Sequence, residues 1–519
     1  MPEYLSPGVY VEEIEIGGKP IEGVSTSTAG FLGPAERGPE PPRLITGFEQ
    51  FRRLYGGYLS NSFLAYGIEG FFSNGGKRCF VGRIVADDAV ATVATVDTIT
   101  VAAIGPGAWG NRLAVRIDRG SLNSATTSLF KLTVMYWAQM PPTPLVDPTD
   151  PTNATDPNRR TPTLLEVYDN LTDDPTSINY YENRINPQSS LIRVARLGAG
   201  NPADQALTFL TDLAAAIPGS DGSALDLNDY RGRILTFPDG TTARTGFEGF
   251  REIDEIAMVC VPDHHSVANL TNDIVAHCTQ LHDRFAVLHS NPATDTLASA
   301  GTLRPPQDTT FAAFYFPWIM VYDPRTNGDL LVPPSGHVAG IYAKTDTERG
   351  VHKAPANEVV LGATALQFQI TKGEQDILNP RGVNCLRVFP GRGLRVWGAR
   401  TSSSDPLWKY VNVRRLLLYI EESIDEGTQW VVFEPNNEKL WGRVTATITE
   451  FLTRVWRDGA LMGTKPEEAF FVKCDRTTMT QDDIDNGRLI CIIGVAPVKP
   501  AEFVIFRIAQ WAGGSAVTE

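Results

Sequence analysis

The segment from Gly105 to Gly110 is the first whose residue types could do chemistry, because it matches the GxGxxG pattern of dinucleotide-binding proteins. That pattern needs a helix after the glycines, so that the helix N-terminus faces the pyrophosphate. Here residues 113–117 are typical of a strand, and no acidic residue stands about twenty positions further on. We therefore predict a structural loop packed by Trp109, and no dinucleotide site.

Gly75, Gly76 and Lys77 have some features of a phosphate-binding P-loop. The first glycine of that motif would be Gly70, which is one residue too far away, and Arg78 stands where Ser or Thr must bind magnesium. Paired glycines after an apolar run are typical of a helix C-terminus. We predict that structural role here.

Metal ligands could come from His277, Cys278 and His282, which lie on one predicted helix near His264 and His265. Zinc ligands on a helix share a face when they are four residues apart. His277 and His282 are five apart and point to diverging faces. This spacing does not favour a metal site.

Ser335 is the candidate nucleophile of a hydrolase, with His337 two positions away. Residues two apart on a helix do not face each other, and the chain has no GxSxG motif. Ser335 follows two prolines and is better explained as a helix N-cap. We assign no catalytic, cofactor-binding or metal-binding residue. A hydrolase that uses Ser335 or an unassigned carboxylate stays the enzymatic alternative.

The composition limits the kind of protein. A chain of 519 residues implies roughly two to four domains. Its net charge of −14 disfavours binding to nucleic acid or to an anionic membrane. Six scattered cysteines without a CxxC pair indicate buried thiols of a reducing compartment. We expect no signal peptide and no membrane span.

Hydrophobic spacing predicts an α/β core domain split between residues 21–90 and 245–370. Its predicted strands cover 24–33, 78–85, 256–261, 284–289 and 310–322. Its predicted helices are one capped by Thr46, one over 62–73, one from Ser266 to about residue 283, and one that begins at Ser335.

Residues 91–244 have a different residue pattern, which predicts an inserted β-rich domain at the surface. Residues 130–137 alternate as in a half-buried antiparallel strand. The section 140–162 holds seven prolines and is typical of a surface loop. We predict a strand over 189–197 and a helix over 202–217.

The section 371–519 predicts a C-terminal α+β domain. Amphipathic spacing indicates long helices over 409–424 and 438–456. Predicted strands over 470–473 and 488–494 form a hairpin.

Both ends of the chain carry apolar strands. Phe503, Val504, Ile505, Phe506 and Ile508 follow two prolines and are apolar on both faces of a strand. Such a strand must be covered to avoid becoming an aggregation edge. Residues 9–14 predict a second short strand. Strand addition to neighbouring copies is one explanation, and pairing with the chain's own sheet is the other.

Several motifs occur in a fixed order along the chain. They are SPGVYVEE (6–13), residues 24–33, PPSGHVAG (333–340), KAPAN (353–357), LNP (378–380) with GVN (382–384), WGART (397–401), YVNVRR (410–415), FEPN (433–436), and GVAP (494–497) with the residues up to Phe503. On these motifs the chain resembles the contractile tail sheath family of phage tails, R-type pyocins and extracellular contractile injection systems. The resemblance covers about the first ninety residues and nearly everything after 246.

The resemblance implies a structural subunit, not an enzyme. Such subunits form stacked hexameric rings around an inner tube and contract to drive the tube through a target cell envelope. Implied partners are further copies of the chain, the tube protein, baseplate and terminator or cap proteins, and paralogous sheath proteins in mixed particles. Nucleic acid, membrane insertion and cofactors are not implied. Assembly in the bacterial cytoplasm, in a phage tail or a released tail-like particle, is implied, and a static shell or fibre protein is the structural alternative.

In this family, terminal strands are exchanged between subunits. Together with the spacing pattern, the resemblance suggests four domain ranges and three sets of site residues. The ranges are 1–20 (N-terminal exchange arm), 21–90 with 245–370 (core), 91–244 (inserted outer domain) and 371–519 (C-terminal sheath domain). The expected exchange residues are Val9, Tyr10, Val11, Glu12, Glu13, Phe503, Val504, Ile505, Phe506, Arg507 and Ile508. The expected receiving hairpin comprises Phe471, Val472, Lys473, Leu489, Ile490, Cys491 and Ile492. The expected tube contacts are Arg454, Arg457, Asp458 and Lys465.

Overall fold

A computed structural model describes residues 20–124, 128–237 and 241–507 as a mixed α/β fold with several sheets. The predicted strand over 9–14 and Ile508 lie outside these described residues. Before residue 90 the elements are β1 (Ala29–Gly33), β2 (Arg43–Ile45), α1 (Phe48–Tyr55), α2 (Leu64–Ser73) and β3 (Cys79–Arg83).

The next section is mostly strands. It contains β4 (Val93–Val96), β5 (Ile99–Ala103), β6 (Leu113–Arg119), β7 (Phe130–Tyr136), β8 (Leu164–Leu171), α3 (Tyr181–Ile185), β9 (Ile192–Arg196), β10 (Gln205–Phe209), β11 (Ala214–Ile217), α4 (Leu227–Arg231), β12 (Ile234–Thr236) and β13 (Thr242–Arg244).

The rest of the chain alternates between helices and strands. It contains α5 (Gly246–Phe250), β14 (Met258–Cys260), α6 (Leu270–Leu281), β15 (Phe285–His289), β16 (Ala312–Phe316), β17 (Ile319–Asp323), β18 (Gly328–Val332), α7 (Ser335–Arg349), β19 (Ala363–Leu366), α8 (Lys372–Leu378), β20 (Val383–Phe389), β21 (Gly393–Val396), α9 (Val411–Thr428), α10 (Glu438–Arg457), α11 (Pro466–Ala469), β22 (Phe470–Lys473), α12 (Gln481–Asp485) and β23 (Ile492–Val495).

An eight-stranded sheet forms the centre, in the order β2-β3-β1-β14-β15-β16-β20-β21. Its six inner strands are parallel, and its two edge strands are antiparallel to their neighbours. Strands β1, β15 and β16 are buried along their whole length, as expected where helices cover both faces. Helices α2, α5, α6 and α7 pack on this sheet. The sheet includes β20 and β21, so it continues beyond residue 370, where we placed the end of the core.

Helices α2 and α7 approach closely because glycines lie at their contact. A Cβ atom on Gly336 would stand 2.3 Å from the backbone oxygen of Gly67. No side chain fits there, so this crossing requires glycine in α7.

The single strand predicted over 310–322 is wrong, because the chain breaks at Pro317 into two strands of different sheets. Strand β16 stays in the central sheet, whereas β17 is the middle strand of a second sheet, β18-β17-β19. Proline has no N–H to donate to a sheet ladder, which explains the break.

The section after residue 90 forms two four-stranded antiparallel sheets, β10-β6-β7-β8 and β11-β4-β5-β9. They share a core that includes Trp109, Leu132 and Val134. The helix predicted over 202–217 is wrong. These residues form β10 and β11, each an edge strand of one sheet. Pairing with β6 and β4 outweighs the helix propensity of the three consecutive alanines in β11.

Strand β7 is confirmed, but its predicted half burial is wrong. Its alternate apolar residues line the core shared by the two sheets. On the other face, Met135 packs in a smaller cluster with Trp137 and Phe209. The strand is therefore covered on both faces.

Three predicted N-caps are wrong, because each hydroxyl is engaged elsewhere. Thr46 donates to the Gln50 side chain, and Gly47 precedes α1. Ser266 donates to the Asp263 carbonyl, 2.6 Å away, and α6 begins only at Leu270. Ser335 is the first residue of α7, not its cap.

Both long helices predicted in the C-terminal section are confirmed as α9 and α10. The apolar stripe of α10 is buried in a separate core with parts of α9 and the hairpin β22–β23. That stripe comprises Leu440, Trp441, Val444, Ile448, Phe451, Leu452 and Val455. No described helix is long and apolar enough to cross a membrane.

Candidate assembly site at the chain ends

The structure pairs Ser335 with His289, which the sequence had not suggested. Ser335 Oγ lies 3.1 Å from His289 Nδ1, and their exposed fractions are 0% and 1%. Among the described residues, His289 Nε2 has no hydrogen-bond partner. Burial holds the pKa of His289 well below its ordinary value. A hydrolytic serine needs access to substrate and a third group that orients its base, and this buried pair has neither in the described structure.

The other chemical motifs take structural roles. The loop from Gly105 to Gly110 leads into β6, and Trp109 Nε1 donates to the Pro106 carbonyl at 3.0 Å. His277 lies against Arg284 and the ring of Phe247. Across the described ranges, no group of three His, Cys, Asp or Glu side chains is arranged for a metal ion.

Glu502 anchors the C-terminal segment to the body of the subunit. Its carboxylate accepts hydrogen bonds from Arg400, from Asn379 Nδ2 at 2.7 Å and from the Tyr410 hydroxyl at 3.1 Å. Lys409 Nζ lies 3.6 Å away. Burial alone would raise the pKa of Glu502, but the hydrogen bonds from Arg400 and Asn379 outweigh it and hold the pKa at about 2. The chain is thus fixed up to this residue.

Directly after Glu502, apolar side chains point into solvent. Phe503, Val504, Ile505 and Phe506 are 70, 69, 79 and 84% exposed. Residues 501–507 form no strand in the described structure. Four consecutive exposed apolar residues after a firm anchor are unusual on a protein surface and make this segment a candidate interaction site.

The N-terminal end enters the body of the protein between α9 and α10. Ile21 is fully buried, and its carbonyl accepts a hydrogen bond from Arg454 Nη2 at 2.6 Å. Val24 N donates to Ser423 Oγ at 3.1 Å. A Cβ atom on Gly427 would stand 2.6 Å from the Ile21 side chain, so glycine is needed for this close approach. Both ends of the described chain are therefore anchored in the C-terminal part.

Strands β22 and β23 form a two-stranded antiparallel sheet with Phe470 opposite Val495 and Lys473 opposite Ile492. In the described part of the chain, neither outer edge pairs with a further strand. Phe471 and Ile492 are about half exposed. A two-stranded sheet with free edges is the kind of element that accepts an added strand.

The first strand of the predicted hairpin agrees with the structure, whereas the second strand begins later than predicted. Phe471, Val472 and Lys473 lie in β22, and Ile492 begins β23. The second strand was predicted to begin at residue 488, so Leu489, Ile490 and Cys491 lie just before it. The Ile490 carbonyl is used elsewhere, because it accepts a hydrogen bond from the Thr478 hydroxyl at 2.8 Å.

Three of the four predicted tube-contact residues lie at the C-terminal end of α10, and the fourth lies in the loop after it. Arg454, Arg457, Asp458 and Lys465 are all exposed. Arg454 differs from the others because it also donates to the Ile21 carbonyl. It therefore anchors the N-terminal segment whether or not it meets a partner.

Two family models match the chain in succession. The phage tail sheath protein central domain matches residues 238–402, and the phage tail sheath C-terminal domain matches residues 403–510. Together they cover more than half of the chain.

Curated relatives are similar over shorter stretches. A putative prophage major tail sheath protein of Pseudomonas aeruginosa (strain UCBPP-PA14) is 28% identical over 204 residues, which is 38% of this chain and 51% of that protein. The tail sheath protein of Escherichia phage P2 is 30% identical over 126 residues, which is 23% of this chain and 31% of that protein. The chain matches about half or less of the length of these two relatives.

Solved structures share the fold over nearly the whole chain. The helical sheath of the anti-feeding prophage in its contracted state has a TM-score of 0.57 and 23% identity, and the match covers 98% of this chain and 100% of that one. The sheath complex of the extracellular contractile injection system PVC, also contracted, has a TM-score of 0.57 and 22% identity, with 99% of both chains covered. A sheath tail protein of Listeria innocua has a TM-score of 0.58 at 14% identity, with 92% of this chain and 97% of that chain covered.

Proposed function

The chain belongs to the phage tail sheath family, and on that premise we propose that it is a structural subunit of a contractile sheath in a phage tail or phage tail-like particle. The subunits polymerise as stacked hexameric rings around an inner tube. Contraction of this cylinder drives the tube through a target cell envelope. Its partners are other copies of the chain, the tube protein, and baseplate and cap proteins. The fold shared with contracted sheaths supports this function.

The observation that carries the proposal is the exposed apolar segment directly after the Glu502 anchor. Residues 503–508 of one subunit, and residues 9–13 of another, add as strands to the free edges of β22 and β23 in a neighbour. Glu502 fixes where the arm begins, and the hairpin supplies unpaired backbone groups. Such head-to-tail contacts do not close by two-fold symmetry, so they propagate into a helical cylinder.

The energetics favour many links acting together. A strand of about six residues gains about five net hydrogen bonds at roughly 1 kcal/mol each. Burying three or four of its apolar side chains adds about 1.5–3 kcal/mol apiece. The sum is of the same order as the association cost of about 4–15 kcal/mol. One link is therefore marginal, whereas a lattice in which every subunit gives and receives strands is stable.

Substitution within the exposed arm tests this proposal. Val504→Lys combined with Phe506→Lys places two charges on one face of the arm, and we expect loss of the cylinders that wild-type protein forms in negative-stain electron microscopy. Circular dichroism of the variant stays unchanged, because these side chains are exposed in the subunit. The matched control is Ile178→Lys, which changes an apolar residue that is 88% exposed outside the arm.

Three outcomes, two in the same micrographs and one in an activity assay, would oppose the proposal. Cylinders of wild-type diameter from the double arm variant would show that the arm is not an assembly strand. A single cylinder diameter under all conditions, in place of an extended and a contracted form, would favour a static shell or fibre protein. A purified subunit that turns over an ester or peptide substrate, and loses turnover with Ser335→Ala, would favour the hydrolase.

A further inference from the structure

Cys474 and Cys491 stand opposite each other at the inner end of the hairpin. Strand β22 pairs with β23 so that Lys473 faces Ile492. This is the last pair of the ladder, and the same register continued by one position brings Cys474 opposite Cys491. Both cysteines carry free thiols in the structure.

The hydrogen-bond pattern identifies the kind of pair. Ala496 N donates to the Ala469 carbonyl at 2.8 Å, which is one of the two bonds of a hydrogen-bonded position between residues 469 and 496. Pairs alternate along an antiparallel ladder. The register, continued one position beyond the last pair Lys473–Ile492, gives Cys474 and Cys491 a non-hydrogen-bonded position, for which Cα atoms are about 4.5 Å apart. That separation lies within the range that a disulfide spans.

The two side chains also point the same way. Cys474 is buried in the core that α10 shares with the hairpin, and Cys491 packs against the same core. Burial raises the pKa of Cys474 to about 12, and burial also raises the pKa of Cys491. The neighbouring Cys491 thiol adds to the rise in the pKa of Cys474. Cys474 is only 7% exposed, whereas Cys491 is half-buried, so a reagent reaches Cys491 first.

We propose that Cys474 and Cys491 are a disulfide-forming site that reacts with small-molecule disulfides. The Cys491 thiolate attacks one sulfur of the reagent, forms a mixed disulfide and releases one reagent thiol. The Cys474 thiolate then attacks the Cys491 sulfur and releases the second thiol. The two cysteines lose two electrons and two protons in total, and these reduce the reagent disulfide to two thiols. The inference goes beyond the sheath function and does not depend on strand exchange.

The bond would join the two strands of the hairpin at the base of the segment 475–490. That segment contains α12, which is capped by Thr480 and bound to Arg488 through Asp483. A cross-link there ties both strands together independently of the core beneath them. Oxidised subunits therefore keep the hairpin closed under conditions that open it in reduced subunits.

The test is oxidation of the full-length protein with oxidised glutathione at mildly alkaline pH, where more thiolate is present. Peptide mapping by mass spectrometry should find a Cys474–Cys491 cross-linked peptide and the loss of two free thiols per chain. Urea denaturation followed by tryptophan fluorescence should show a higher midpoint for the oxidised protein. Trp441 in the shared core reports on this part of the fold.

Single variants distinguish the pair from unspecific oxidation. With Cys474→Ser, Cys491 should stop at the glutathione adduct, and the urea midpoint should not rise. Cys385→Ser, which removes a buried thiol in β20, should leave the cross-link intact. Six free thiols in oxidised wild-type protein, or a cross-link that survives in the Cys474→Ser variant, would overturn the proposal.

Discussion

Arg400 and Glu502 form a two-point ion pair in which Nε and Nη2 of the arginine each lie 2.8 Å from a different carboxylate oxygen. Arg400 follows the last strand of the central sheet, and Glu502 is the last anchored residue before the exposed C-terminal segment. The pair therefore joins the central sheet to the start of the arm. Paired hydrogen bonds of this kind also fix direction, so the arm leaves the subunit at a defined angle.

Glu502→Gln should loosen this anchor without unfolding the subunit. A neutral amide loses charge-assisted bonds worth about 2 kcal/mol. Protection of the Val498 amide, which donates to the Ala460 carbonyl, should then fall by ~30-fold in hydrogen exchange. Glu467→Gln, an exposed glutamate in α11, serves as the control. Equal protection in wild type and Glu502→Gln would contradict the anchoring role.

Low pH should loosen the same Glu502 anchor in the wild-type protein. The folded pKa of Glu502 is about 2, below its ordinary value of 4.5. A carboxyl group with a lowered pKa stabilises the fold above its unfolded pKa, and that contribution is lost as the pH falls towards the folded pKa. Protection of Val498 should therefore decrease between about pH 4.5 and 2 in wild type, and stay level in Glu502→Gln.

Asp346→Asn should destabilise the junction between α7 and α9. Arg415 Nη2 lies 2.6 Å from Asp346, and the two side chains are 3% and 2% exposed. Removing one partner of a buried ion pair leaves an unpaired charge, so we expect a loss of about 3–5 kcal/mol in the free energy of unfolding by urea. Replacing both residues by apolar ones should cost much less.

The control for that series is Glu49→Gln, which breaks the exposed i,i+3 pair with Arg52. Surface pairs contribute about 0–1 kcal/mol, so the urea midpoint should barely move. Similar losses for Glu49→Gln and Asp346→Asn would show that the burial of the Arg415 pair has no special effect on stability.

Asp263→Asn should change how stability depends on pH. Burial raises the pKa of Asp263 to about 6, although Ser62 Oγ and Phe63 N each donate to its carboxylate at 2.8 Å. Between about pH 4 and 6 the folded state therefore binds more protons than the unfolded state, and stability falls as pH rises. The amide oxygen that the substitution introduces can accept one of these bonds without titrating. A plot of Tm against pH should lose this fall in the variant.

The opposite result for Asp263→Asn is equally informative. A variant that loses the same stability at every pH, with the slope between about pH 4 and 6 intact, would show that another group titrates there. The Tm of Glu49→Gln measured in parallel should reproduce the wild-type slope.

Charge reversal at the end of α10 should weaken binding of the inner tube. Arg457→Glu combined with Lys465→Glu changes two exposed cations and leaves Arg454 on the Ile21 carbonyl. We expect co-sedimentation of tube with sheath to fall at least about tenfold, a change of roughly 1.4 kcal/mol. Lys439→Glu at the opposite end of α10 should have no effect. Unchanged co-sedimentation of the double variant would exclude this surface as the tube contact.

The local sequence pattern was sufficient to predict those helices and strands whose apolar residues repeat at one regular spacing. Helix α10 was predicted over 438–456 and extends over Glu438–Arg457, because its apolar residues recur at helical spacing along its whole length. Strand β7 was predicted from strict alternation, and its alternate apolar residues are buried between the inserted sheets. In such elements every residue gives the same signal, so a single sequence specifies the outcome.

Prediction from the local sequence pattern failed where contact with another part of the fold determined the conformation. Residues 202–217 became two edge strands because β6 and β4 offered unpaired edges, which a sequence window does not contain. The predicted cap at Ser335 failed because its hydroxyl meets His289, from a strand far away along the chain. Competing partners of this kind exist only after the sheet order is set.

The residues alone predicted apolar segments at both chain ends, showed a family resemblance on ordered motifs, and located the long helices that support the hairpin. Folding added the anchor at Glu502, the exposure of the residues after it, and the facing thiols of Cys474 and Cys491. Each of these depends on contacts between residues that are distant in sequence. Those contacts follow from strand register and from which groups are buried, and both are properties of the whole packed chain.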